Sequence, residues 1–240
     1  MIRLFRKIRH KLLSEQSYGI YILYASGEML LVVVGILFAL QIDNWNDQRK
    51  SRVLEHELLD QFQSELYTDI ESIREVNHWY KKTVSSCEVL VFHLKNKIPY
   101  HDSLKFHFDL WNDFQEFTFS TGAISNLNSR GVELISERNV RNQILQLYNQ
   151  HLPSNLKSNE FFREDHVHLT YKIHLERIEP VNWRESAIPN DYEALFDDQV
   201  FVNHVQWIRN AASYNMGRNE DLIREIEAVI HQIDQFQSTH

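Results

Sequence analysis

Apolar residues recur at Leu54, Leu58, Phe62, Leu66, Ile70, Ile73, Val76, Tyr80, Val84, Cys87 and Val91, ten steps across 37 residues and so a mean of 3.7. That spacing describes one face of an amphipathic helix; a strand would alternate every second residue. No Gly or Pro interrupts residues 36 to 98, so the predicted helix runs back without a break into the more apolar sequence before it. Because the mean step exceeds 3.5, a left-handed dimeric coiled coil is not specified, and packing against other helices of the same chain is expected.

Pro99 is expected to end this helix, with Asp102 or Ser103 capping a short aromatic-rich one that carries Leu104, Phe108 and Trp111. Ser120 is placed to cap a helix bearing Ala123, Ile124 and Leu127 that stops near Gly131. Ser136 then starts another, with Val140, Ile144, Leu147 and Tyr148 on one face, and Pro153 closes it. From Asn155 to Ile178 the pattern reads as helix, although Val167, Leu169, Tyr171, Ile173 and Leu175 alternate strictly and leave a strand open. Residues 179 to 191, with two Pro and no apolar period, read as the longest surface loop. Beyond it, Asp197 or Asp198 caps a helix burying Phe201, Val205 and Ile208. Leu222, Ile226, Val229, Ile233 and Phe236 then follow at steps of 4, 3, 4 and 3, a heptad seam whose simplest partner is the long helix after residue 45.

The segment Ile20 to Ile42 holds 23 residues and one charge, Glu28. A bilayer core of about 30 Å takes ~20 apolar residues in a helix, so this run is long enough to span. Tyr18, Tyr21 and Tyr24 precede its apolar core and Trp45 follows it, as amphipathic rings at headgroup level do. A cleaved signal peptide shares the basic-then-apolar order, but the sequence FALQIDNW contains no small-x-small cleavage site. Arg3, Arg6, Lys7, Arg9 and Lys11 precede the span and only Arg49, Lys50 and Arg52 follow closely, which puts the N-terminus in the cytoplasm. With Ile2, Phe5, Ile8 and Leu12 at helical spacing among them, those five cations read as an interfacial helix on an anionic leaflet.

Within the span, Glu28, Val32, Gly35 and Ala39 differ by 4, 3 and 4 and line one side. Gly35 and Ala39 form a small-xxx-small pair that permits close helix approach, while Glu28 is placed either at a packed interface with another span or at the cytoplasmic edge of the bilayer.

The expected architecture is therefore all-α: a basic amphipathic helix (residues 1–17), a transmembrane helix (18–45) continuing into a long helix, and an extracytoplasmic helical bundle (46–240). Composition agrees, with 43% apolar residues and only 6 Gly and 4 Pro in 240. The net charge of −8 hides an asymmetry: residues 1–42 carry +3, leaving 20 basic and 31 acidic side chains after them. An acidic body of this kind repels phosphate backbones, so nucleic acid is not an expected partner. One cysteine, Cys87, excludes an internal disulfide and reads as a small core hydrophobe.

The residues FRKIR (Phe5–Arg9), the pair Gly27-Glu28, and LLVVVGILFALQI (Leu30–Ile42) running into Asn44-Trp45-Asn46 resemble an uncharacterised family of bacterial single-pass membrane proteins. A second similarity runs through SNLNSRGVELISERNVRNQILQLY, Ser125 to Tyr148. The resemblance implies the bacterial inner membrane, with the bulk of the chain in the periplasm, and no activity.

No set of residues has the spacing of an active site. Glu164-Asp165-His166-Val167-His168 is the densest histidine cluster, yet it supplies two or three local ligands where a metal needs three or four converging ones, so a solvated helix face is the better reading. Trp79, Trp111, Trp183 and Trp207 suit either a ligand pocket between helices or the filling of a core. The sequence thus predicts no catalytic residue, no metal and no cofactor. The expected partners are the lipid bilayer and either a second copy in a homo-oligomer or another membrane or envelope protein. A sensor-like or scaffolding module comes first, an ion-conducting or force-transmitting assembly second, and an envelope hydrolase last.

Overall fold

The unbroken, Gly- and Pro-free stretch folds as expected into one helix, α1, Tyr18–Lys95. The computed structural model describes residues 18–182 and 184–239. Four further helices follow in it: α2, Leu104–Leu110; α3, Gly122–Arg130; α4, Arg138–Gln146; and α5, Leu152–Arg177. Two short strands, β1 (Ile178–Asn182) and β2 (Ser186–Pro189), precede the last helix, α6, Gln199–Thr239. The chain divides into two units, Met1–Leu54 and Glu55–His240. The interfacial-helix residues Arg3, Arg6, Lys7, Arg9 and Lys11 lie outside the described residues.

In the first unit the described apolar residues from Met29 to Ile42 on α1 are all exposed. Met29, Leu31, Val33, Leu37 and Phe38 are between 52% and 74% exposed, so the helix is apolar on every side and covered on none. Among the described residues it is the one helix long and apolar enough to cross a membrane.

In the second unit the seam of α1 turns inward. Leu58, Phe62, Leu66, Ile70, Ile73, Val76, Tyr80 and Cys87 are buried, each apolar side chain worth roughly 1.5–3 kcal/mol on leaving water. In the last turns the buried positions are Leu90 and Leu94, while Val91 is only half-buried, because a 3.6-residue helix drifts against its seam. The helix ends in a Schellman arrangement: Ile98 N–H donates to the His93 carbonyl (3.0 Å) and Lys97 N–H to that of Leu94 (3.2 Å). Lys97 takes the left-handed position at φ 49°, two residues ahead of Pro99.

The heptad residues Leu222, Ile226, Val229, Ile233 and Phe236 of α6 are all buried in the same cluster as Leu58 to Tyr80. The two helices run antiparallel, since Asp60 bonds Gln237, Gln63 bonds Asp234, Arg74 bonds Glu227 and Asn77 bonds Asn219. The Asn77–Asn219 pair, 2.9 Å and fully inside, costs desolvation in any register but this one and so fixes the alignment. A second cluster gathers Leu90, Leu94, Phe108, Trp111, Phe201 and Val205.

Three local expectations fail. The loop over 179–191 is instead an antiparallel hairpin, with Ile178 opposite Pro189 and Pro180 opposite Ala187 and an irregularity between Pro180 and Asn182, so the fold is mostly all-α with one two-stranded sheet added. Both prolines are tolerated because each strand of a two-stranded sheet is an edge. Strands of five and four residues, with Ile178 and Ala187 alone buried, are too short to show a period. The second failure is at Pro153, which stands in the first turn of α5 and does not close a helix. A wide turn, Leu147–His151, joins α4 to α5, the Leu152 N–H reaching back to the Leu147 carbonyl; this loosened ladder absorbs a residue that has no N–H to give. Third, Ser103, Ser120 and Ser136 cap no helix. The alternation over 167–175 resolves as helix, within α5.

Candidate functional site

Glu28, Val32, Gly35 and Ala39 stand on one side of α1, all exposed, and a Cβ added at Gly35 would meet nothing within 4 Å. The face is therefore free for close approach.

Farther along α1, three carboxylates hold the segment between α2 and α4. Asp69 accepts from the Ser120 N–H (3.0 Å) and hydroxyl (2.8 Å). Glu65 accepts the Ala123 N–H at 2.9 Å and so caps α3, the role expected of Ser120. Glu55 accepts the Ser136 N–H (2.6 Å) and hydroxyl (2.8 Å), while Glu137 caps α4 through the Asn139 N–H. Burial raises the Asp69 carboxyl above its usual 3.8, against the lowering effect of the Ser120 bonds. Burial, with Asp69 and Glu65 nearby, also raises the Tyr148 phenol. Asp69, Glu65 and Glu55 are each engaged in anchoring the 120–136 segment.

The second cluster contains a run of rings: His174 stacks on Trp111 at 6.0 Å, Trp111 meets His204 edge-on at 5.9 Å, and His204 stacks on Trp207 at 5.8 Å. The Thr170 hydroxyl lies 2.6 Å from His204 Nε2 and the Asn112 amide 3.2 Å from His174 Nδ1. Burial lowers both imidazoles below 6.5, so they are kept neutral. Trp111 thus fills a core. Trp79 is half-buried elsewhere, with Lys82 at 4.1 Å and Arg184 at 4.9 Å over its ring, and Trp183 lies outside the described residues. Among the described residues the tryptophans do not converge on a pocket.

Cys87 is fully buried, donates to the Trp111 carbonyl at 3.2 Å, and has its thiol raised by burial, which makes it inert. Glu164 is exposed, and the side chains of Asp165, His166 and His168 lie outside the described residues. Among the described residues no three His, Cys, Asp or Glu side chains gather to hold a metal.

One cleft, of about 320 Å³, lies where the wide turn meets α6. Gln150, His151, Ser154 and Asn155 form one wall; Arg218, Asp221, Leu222 and Glu225, successive positions on one face of α6, form the other. His151 Nδ1 and Glu225 Oε2 are 2.6 Å apart, and Arg218 Nη2 donates to the Ser154 hydroxyl at 3.2 Å. Asn155 is 2% exposed: its amide donates to the Arg218 carbonyl (3.2 Å) and accepts from Asn159 (2.9 Å), which braces the two walls. Asp221 is held by Arg224. The sequence reading passed over this site, because its two walls are 64 residues apart at the Arg218–Ser154 bond. The one local signal was a proline set among good helix formers.

The structure defines a mostly α-helical protein with one helix fit to cross a membrane and a polar cleft in its folded unit. Comparison with protein-family models, with curated proteins and with solved structures found no match to this chain.

Proposed function

We propose that this chain is a membrane-anchored helical module of the bacterial envelope, with its N-terminus in the cytoplasm and residues 46–240 in the periplasm, where they bind a ligand or partner in a sensor-like or scaffolding role. The observation that carries this reading is the bare span: an apolar helix covered on no side in water would draw the chain into aggregates, and a bilayer is the solvent that suits it. The basic N-terminal residues and the likeness of residues 5–46 to bacterial single-pass proteins support the compartment and direction. The folded unit has a cleft of ligand size and, among the described residues, no assembled catalytic group, which favours binding over chemistry. The test is a pair of reporters fused after residue 240, one active only outside the cytoplasm and one only within it. The outside reporter is expected to work, together with resistance of the chain to carbonate extraction; cytoplasmic activity alone would overturn the orientation.

A second reading rests on the free face of Glu28, Val32, Gly35 and Ala39: a homo-oligomer whose spans pack there, conducting an ion or transmitting force. Single cysteines placed along the span should crosslink between copies, and Gly35→Ile or Ala39→Ile should abolish it. Uniformly absent crosslinks in the parent chain would remove this reading.

A further inference from the structure

We propose that the cleft between the wide turn and α6 is the ligand site of the sensor-like module, and that it takes a small zwitterion bearing both a carboxylate and an ammonium group, such as a free amino acid or a short peptide. This deepens the binding reading above and rests on it.

The inference comes from how charge is laid out in the cleft. Arg218, Asp221, Leu222 and Glu225 follow one another along a single face of α6, so the positive end of the wall stands about 10 Å from the negative end and a buried leucine lies between them. Asp221 is matched by Arg224, and Glu225 by His151. Arg218 differs: its contact is a neutral hydroxyl, that of Ser154, and among the described residues it enters no ion pair. A guanidinium left with spare donors at the rim of a cleft is a carboxylate receptor, able to bind both oxygens at once. A simple anion would satisfy Arg218 but meet Asp221 and Glu225; a simple cation would meet Arg218. A ligand carrying both signs answers both ends, with its ammonium at Glu225 beside or in place of His151.

The site is also braced where it needs to be. Nearly fully buried, Asn155 fixes the backbone of Arg218 to the opposite wall and is itself held by Asn159, so the two walls keep their spacing without a ligand. The wide turn contributes His151, and the first turn of α5 that follows it contributes Ser154, so the irregularity stands within the wall of the site. A cleft of about 320 Å³ is at the small end of ligand sites and matches an amino acid or dipeptide better than a larger molecule.

The experiment is calorimetric titration of the full chain in detergent with the twenty common L-amino acids and a set of glycine dipeptides, so membrane orientation does not enter. At least one zwitterion should bind saturably. Its N-acetyl and C-amide derivatives, each lacking one charge, should bind at least tenfold more weakly. Arg218→Gln and Glu225→Gln should each weaken the zwitterion at least tenfold while circular dichroism and melting temperature stay those of the parent. No binding across the panel, equal binding of the blocked derivatives, or binding indifferent to both substitutions would overturn the proposal. A periplasmic reporter result alongside any of these would leave the envelope reading standing and the ligand class refuted.

Discussion

Asp69 takes both the amide and the hydroxyl of Ser120, at 3.0 and 2.8 Å, so a residue whose type suggests a helix cap is instead clamped to a helix 51 positions earlier in the chain. Glu55 repeats the arrangement with Ser136. The stability of the 120–136 segment therefore resides in the carboxylates of α1. Glu55→Ala should cost about 1–3 kcal/mol, since it removes a buried carboxylate that accepts from both the Ser136 N–H and hydroxyl, whereas Ser136→Ala keeps the N–H bond and should cost under ~1.5 kcal/mol. Denaturant melts of the two variants check the order. Equal losses would mean the hydroxyl, and not the amide, carries the contact.

Gly122 is the second point of contact with α1. A Cβ there would meet Glu65 Oε1 at 2.6 Å and Gln61 Nε2 at 3.1 Å, and Glu65 is not free to swing aside because it holds the Ala123 N–H. Gly122→Ala should destabilise the protein by about 1–3 kcal/mol through overpacking. In a Glu65→Ala background the same change should be neutral or stabilising by up to ~1 kcal/mol, because alanine is the better helix former once the clash is gone. A double-mutant cycle reads the reversal directly.

Acid should loosen the ring cluster. His107, His174 and His204 are each lowered from 6.5 by burial, His107 also by the nearby His93. Between 6.5 and those lower native values the unfolded chain binds protons that the folded one does not. Stability is thus full above 6.5 and declines as pH falls through that window. Melting temperature should be level at and above about pH 7.5 and lower at about pH 5.5, and the double variant His174→Gln, His204→Gln should show a smaller drop. Because Trp111 stacks on His174, tryptophan emission should follow the same transition.

Cys87 offers a clean report on opening. With its thiol buried and raised, maleimide labelling of the folded protein should be at least ~100-fold slower than in denaturant. Rapid labelling under native conditions would show that the second cluster opens readily.

The long helices were legible because their burial is periodic: every residue from Leu58 to Tyr80 on the predicted seam is inside, as are the five heptad positions of α6. The span was legible from composition alone. What escaped was everything determined by distant partners. Ser120 and Ser136 have the chemistry of caps, but Glu65 and Glu137 do the capping; Glu137 is the neighbour of Ser136, whereas no local pattern encodes the Glu65 carboxylate arriving from another helix. The hairpin was invisible because its register rests on two buried side chains, Ile178 and Ala187. Of the candidate cleft nothing was foreseen. Pro153 by type signals a helix stop, while the wide turn before it holds His151 opposite Glu225.

The antiparallel pairing of α1 with α6 has a consequence for biosynthesis. Gln237 bonds Asp60 across 177 residues, so the cover that α6 gives the apolar seam from Leu58 to Tyr80 is missing until nearly the whole chain has been made. At about 5–20 residues per second, that interval is roughly 10–35 s. Through that time a nascent chain held at one end presents a row of leucine, isoleucine and phenylalanine side chains to every neighbour. Contacts of such long range make folding slow and aggregation competitive. A holding chaperone that meets the chain while it is being made is what this topology demands of the cell.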